Sequence, residues 1–203
     1  YGSAVYADAY ALIERCIIRG NRATGGTSSG VGAIYLYNNS RIRNCLVYGN
    51  YTGGYGTPTP GLGPLTAGVY SYNTGNRVEY CTIVSNVVQY GIGAGLYMYR
   101  GRAENNIVYY NHAEYRGDYR LDQHNAYFTP ARTDTSISNT CAYPLVAGGG
   151  NIDSDPVFAD WHSADFRLLP GSPCIDSAQA ITNTTDDYYE VTRTVDGDGA
   201  GGG

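Results

Sequence analysis

The chain has 203 residues, of which 42% are hydrophobic and only 15% charged, with a net charge of −5 and a pI near 5.0. That balance excludes a nucleic-acid partner, because phosphate binding needs a basic face. All 13 basic residues are Arg, scattered along the sequence without forming a patch, and no run approaches the roughly 18 apolar residues of a membrane span. The 28 glycines lack a Gly-X-Y period, which excludes collagen, and abundant Val, Ile, Thr and Tyr point to strands. From Tyr1 onward there is no signal peptide, so the chain reads as a mature or trimmed segment.

The first predicted element is Val5-Tyr6-Ala7-Asp8, followed by Glu14-Arg15-Cys16-Ile17-Ile18-Arg19-Gly20-Asn21. The pair recurs as Ile34-Tyr35-Leu36-Tyr37 with Arg43-Asn44-Cys45-Leu46-Val47-Tyr48-Gly49-Asn50. It recurs again as Val69-Tyr70-Ser71-Tyr72 with Glu79-Tyr80-Cys81-Thr82-Ile83-Val84-Ser85-Asn86. The fourth copy is Leu96-Tyr97-Met98-Tyr99 with Glu104-Asn105-Asn106-Ile107-Val108-Tyr109-Tyr110-Asn111, where Asn106 takes the Cys position. Successive Cys positions are 29, 36 and 25 residues apart, while the Tyr-to-Cys offset stays between 9 and 11. Blocks that keep step while their linkers vary mark a solenoid, and the period-two alternation predicts strands of roughly three to five residues. The fold expected is therefore all-β, a single-stranded parallel β-helix of about four to six coils. Residues 51–67, rich in Gly and Pro, read as an excursion from it.

Parity places Cys16, Cys45 and Cys81 inside the coils together with Ile18, Val47, Ile83 and Val108, as an inward ladder of small side chains. Asn21, Asn50, Asn86 and Asn111 share one corner and are expected to hydrogen-bond from coil to coil. With Val5, Ile34, Val69 and Leu96 facing inward, Tyr6, Tyr35, Tyr70 and Tyr97 face outward, as do Tyr37, Tyr72 and Tyr99. These rings would form a flat aromatic platform for sugar rings or another subunit, or simply stack for stability.

Further along, Arg116, Asp118, Arg120, Asp122 and His124 alternate at period two. Asp118 or Asp122 beside His124 would suit acid–base cleavage of a polysaccharide, the alternative being a salt-bridged, solvated loop. No C-x-x-C pair offers zinc spacing. Asp196-Gly197-Asp198-Gly199 has the opening of a calcium loop without its later Glu, so calcium at Asp196 and Asp198 is the single cofactor considered. Asn38, Asn50 and Asn183 sit in glycan-acceptor triplets.

The phrase Asn44-Cys45-Leu46-Val47-Tyr48-Gly49-Asn50 resembles the repeat of bacterial right-handed β-helix proteins. Gly150-Asn151-Ile152-Asp153-Ser154-Asp155-Pro156-Val157-Phe158 and Asp165-Phe166-Arg167-Leu168-Leu169-Pro170-Gly171-Ser172-Pro173-Cys174-Ile175-Asp176 resemble their closing segment. The resemblance implies a right-handed parallel β-helix over residues 1–140, an irregular C-terminal cap region over 141–203 that reads as truncated, and export to the cell surface or beyond. In an exported protein Cys141 and Cys174 become candidates for a disulfide. The function expected is a non-catalytic surface, adhesive or fibre-forming module, with self-association or a cell-surface polysaccharide as partner. The alternative is a carbohydrate-binding or polysaccharide-degrading enzyme, against which stand outward strand positions filled mostly by Tyr, Thr, Ile and Val.

Overall fold

The computed structural model describes residues 4–24, 32–53, 66–89, 91, 93–113, 125–129 and 133–179. Coil 1 carries β1 (Val5–Ala7), β2 (Leu12–Glu14), β3 (Ile17–Arg19) and β4 (Arg22–Thr24). Coil 2 repeats them as β5 (Ile34–Leu36), β6 (Arg41–Arg43), β7 (Leu46–Tyr48) and β8 (Tyr51–Gly53). Coil 3 has β9 (Val69–Ser71), β10 (Arg77–Glu79), β11 (Thr82–Val84) and β12 (Val87–Val88). Coil 4 has β13 (Leu96–Met98), β14 (Gly101–Glu104), β15 (Ile107–Tyr109) and β16 (His112–Ala113). The fifth coil contributes β17 (Ala126–Phe128), β18 (Thr135–Ser138) and β19 (Cys141–Ala142).

Equivalent strands pair in parallel and in register, giving sheet A (β1-β5-β9-β13-β17), sheet B (β2-β6-β10-β14-β18), sheet C (β3-β7-β11-β15-β19) and sheet D (β4-β8-β12-β16). This is the parallel β-helix expected, with parallel strands joined by the right-handed crossover such connections take. In sheet A the outer two positions of each strand face inward, as at Ile34 and Leu36, whereas in sheets B and C the middle residue does, as at Ile42 and Val47. One apolar core of these residues runs through all five coils, and most of its members are fully buried.

Two corners per coil explain how strands this short turn so sharply. Between sheets B and C, Arg15, Asn44, Tyr80, Asn105 and Asn139 all adopt φ of 46–59°. Between sheets C and D, Gly20, Gly49, Ser85 and Tyr110 adopt 54–65°. Left-handed backbone suits Gly and Asn but costs Arg, Tyr and Ser on the order of 1 kcal/mol each, which the stacking of the coils must offset.

The closing segment does two things. Val146 joins the helix core, Asn139 N donates to Gly149 O, and Ile152 pairs in parallel with Cys141, so this stretch lies across the fifth coil at sheets B and C. The chain then runs back beside the helix as an antiparallel pair, β20 (Phe158–Asp160) and β21 (Asp165–Leu168), joined by a 3-10 turn at Trp161–Ser163. We call this returning stretch the strap.

Candidate functional site

The corner asparagines form the ladder the sequence implies. Asn50 Oδ1 accepts from both the backbone N and the Nδ2 of Asn21, at 3.0 and 2.9 Å. Asn86 serves Asn50 likewise, at 3.1 and 2.8 Å, and Asn111 serves Asn86 at 2.9 Å for both bonds. Each Nδ2 also donates to a strand carbonyl one coil back: Asn50 to Ile18, Asn86 to Val47 and Asn111 to Ile83. Asn125 adds a further rung that sequence reasoning missed, accepting from Asn111 N at 2.8 Å. It stands outside the repeat, so no spacing announced it. Asn50 is 1% exposed, which removes it as a glycan acceptor in the folded chain.

The cysteine ladder is only partly the inert stack expected. Cys45 and Cys81 are buried, but Cys16 is exposed because coil 1 has no neighbour on its outer side among the described residues. The slot also works as a second acceptor ladder. Cys45 Sγ accepts from Cys16 N at 3.4 Å, Asn106 Oδ1 from Cys81 N at 2.9 Å, and Thr140 Oγ1 from Asn106 N at 3.4 Å. Asn151 continues it, taking Thr140 N at 2.9 Å. Gly150-Asn151-Ile152 repeats the corner pattern of Asn105-Asn106-Ile107, with Gly150 at φ 71°, and that was the available signal.

The tyrosines do gather on sheet A, in two columns. Tyr6, Tyr35, Tyr70 and Tyr97 run along it, with centroids 5.0–5.3 Å apart, and Tyr127 extends the column at 4.9 Å. Tyr37, Tyr72 and Tyr99 form the second column, at 5.5 and 5.2 Å with interplanar angles of only 29° and 16°. The expected flat platform is therefore corrected. Rings in the second column stack on one another and turn their edges outward, while those in the first tilt by 25–65° and bury each other. Tyr35, Tyr70 and Tyr97 are 6–7% exposed, and Tyr6 and Tyr72 offer the accessible ring surface at 50% and 37%. Burial, with neighbouring phenols adding to it, pushes the Tyr70 hydroxyl far above the ordinary value.

Sheet B holds what the linear sequence hid. Register aligns Leu12, Arg41, Arg77, Arg102 and Ser136 in one outward column, and Glu14, Arg43, Glu79, Glu104 and Ser138 in the next. The apparently scattered arginines thus form a patch, a correction to the composition-level reading. They sit four and two residues before each Cys position, so the repeat register was the signal that could have revealed them. Arg43 Nε lies 2.6 Å from Glu14 Oε1, and Glu79 lies between Arg41 and Arg77 at 3.6 and 4.0 Å. Glu79 is 2% exposed and its Oε2 lacks a hydrogen bond, so burial raises its pKa while Arg41 and Arg77 pull it down.

Sheet C is covered by the strap. Trp161 stacks on Tyr110 at 4.3 Å, Phe166 meets Tyr48 edge-on at 5.0 Å, and Phe158 packs against both Phe166 and Tyr110. Tyr110 Oη donates to Asp155 Oδ2, and beyond Cys174 the backbone of Gln179 exchanges hydrogen bonds with Asn105 while its carbonyl accepts from Tyr80 Oη. Cys141 and Cys174 are both free thiols, and both lie against the 154–156 segment: Cys141 Sγ donates to Ser154 O at 3.2 Å, and Ser172 Oγ, which accepts from Cys174 N, donates to Pro156 O.

Asp118, Asp122, His124, Asp196 and Asp198 lie outside the described residues. Among the described residues no group of three or more His, Cys, Asp or Glu side chains could hold a metal ion, and no helix is long and apolar enough to cross a membrane. A family model described as "Right handed beta helix region" matches residues 1–141. No curated protein and no solved structure matches the chain.

Proposed function

The chain belongs to the right-handed β-helix family, and from that premise we propose that it is an extracellular, non-catalytic module that associates with further copies of itself through the tyrosine face of sheet A. The observation that carries this reading is the double column itself. All five outward strand positions of sheet A are Tyr, so these positions carry no formal charge with which to hold a polyelectrolyte. A second copy, in contrast, brings the same ring edges at the same coil spacing and can match them rung for rung. Coil 1 adds apolar surface at Tyr6, Tyr10, Leu12 and Ile17, each 48–78% exposed beside strand edges that pair with no further strand among the described residues. A further coil would cover it, whether from a second copy or from residues ahead of Tyr1 in a longer chain.

The test is sedimentation together with negative-stain electron microscopy of the chain and of a Tyr6→Ser/Tyr72→Ser variant. These two rings are accessible, and their loss leaves the buried rings of Tyr35, Tyr70 and Tyr97 in place. We expect the parent to associate and the variant to stay monomeric with an unchanged circular-dichroism spectrum. A parent that is monomeric at all concentrations contradicts the reading.

A second reading rests on sheet B, where the column of Arg41, Arg77 and Arg102 suits the carboxylates of an acidic polysaccharide. Salt-sensitive retention on polygalacturonate that an Arg77→Ser/Arg102→Ser variant loses would favour it; absence of retention at low salt would remove it.

A further inference from the structure

We propose that Cys141 and Cys174 close into a disulfide that clasps the strap to the fifth coil, so that the covering of sheet C depends on the thiol–disulfide balance around the protein.

Each thiol is placed by its own part of the fold. Cys141 opens β19, is 3% exposed, and is fixed by backbone bonds to coil 4 and by its pairing with Ile152. Its Sγ lies 3.2 Å from the Ser154 carbonyl. Cys174 sits in a tight turn. Ser172 Oγ, itself buried, accepts from Cys174 N at 3.2 Å and donates to Pro156 O, and Ile175 N donates to Ser172 O. Both cysteines, 33 positions apart in sequence, are thus held against one short segment, Cys141 through Ser154 and Cys174 through Ser172 and Pro156. Cys174 is also the more accessible of the two.

Their placement also orders the chemistry. The Cys141 thiol donates to the Ser154 carbonyl, and the mutual influence of the two thiols lowers the Cys174 pKa and raises that of Cys141. Cys174, the more accessible of the two, is therefore the sulfur that meets the oxidant first. With a small disulfide such as oxidised glutathione as oxidant, Cys174 takes one glutathione sulfur and releases the other as a thiol. Cys141 then attacks the Cys174 sulfur and expels the second glutathione. Two protein thiols become one disulfide, the oxidant is reduced to two thiols, and the two protein protons end on the released glutathiones.

What the clasp controls is a surface. Beneath the strap lie the rings of Tyr48 and Tyr110; Val84, fully buried, and Tyr109 stand in register with Tyr48 in the same outward column. Reduced, the strap holds by ring contacts and the bonds of Gln179; oxidised, it is tied to the coil covalently, and lifting it requires reduction.

The experiment incubates the folded chain with oxidised glutathione, maps its peptides without reduction, and follows hydrogen exchange across residues 156–179. We expect a Cys141–Cys174 linked peptide, loss of two of the five alkylatable thiols, and exchange in the strap slowed by at least ~10-fold. A Cys174→Ser variant, altered outside the coils, should fold, form no linked peptide and show no change in strap exchange on oxidation. The clasp is overturned if both thiols stay alkylatable, if each stops at a glutathione adduct, or if linkage falls among Cys16, Cys45 and Cys81 instead. Linkage without slower exchange in the strap overturns its control of the sheet C surface.

Discussion

Sheets A and C both carry aromatic rings on their outer faces, but those rings are covered by different means. On sheet A the tyrosines of neighbouring coils cover one another, so Tyr70 has Tyr35 and Tyr97 against it and Tyr72 beside it. On sheet C and its corner toward sheet D the rings of Tyr48 and Tyr110 are covered by Phe166 and Trp161, which arrive from far along the chain. Sheet A's outer face is thus as old as the coil stack in folding terms: it forms whenever the coils form. Sheet C's outer face is finished by a segment outside the coil repeat, which we expect to open without unstacking a coil. Repetition alone makes a stable surface where each coil supplies the same residue, and it needs an added strap where coils supply Tyr48, Val84 and Tyr109 in turn.

Changes on each side should separate the two modes. The largest effect is expected for Tyr70→Ala, which opens a hole in the middle of the buried column and should lower the global unfolding free energy by about 3 kcal/mol in urea titration. Tyr70→Ala costing no more than an exposed-surface change would mean that the column does not hold the coils. Trp161→Ala comes next. It removes the ring stacked on Tyr110 and should cost the global transition only about 1 kcal/mol while making the strap readily cleaved by protease. Loss of global stability matching Tyr70→Ala would show that the strap is part of the coil cooperative unit.

The smallest effect concerns sheet B, which lies between them. Burial holds the Glu79 proton more tightly in the folded chain than in the unfolded one, against the pull of Arg41 and Arg77. Stability from a raised carboxyl pKa is complete below the ordinary Glu value of 4.5 and is lost as the pH climbs through the raised one. Glu79→Gln should therefore be at least as stable as the parent at neutral pH, with the parent regaining ground as the pH falls. Urea titrations at the two ends of that range check the sign, and a variant that loses most at neutral pH would show that the arginines outweigh burial.

Much of this was legible in the residues. Four aligned blocks gave the coils, the corner of Asn21, Asn50, Asn86 and Asn111 gave the ladder, and parity gave Ile18, Val47, Ile83 and Val108 to the core. The Arg and Glu columns were hidden because coil-to-coil separations of 29, 36 and 25 residues scatter them in sequence. Ring tilt was not legible either, since whether stacked tyrosines show faces or edges is decided by packing between coils and not by period. Nor could pattern show that residues 156–179 turn back along sheet C, because that course depends on long-range contacts such as Trp161 with Tyr110 and Gln179 with Asn105.

The contrast between the two faces is tested most directly by native-state hydrogen exchange in increasing denaturant, with the thiols kept reduced. We expect amides of β20 and β21 to exchange through openings that barely respond to denaturant, and amides of β5, β9 and β13 to exchange only with global unfolding. Strap and sheet A exchanging together at the global free energy, or sheet A opening as readily as the strap, would contradict it.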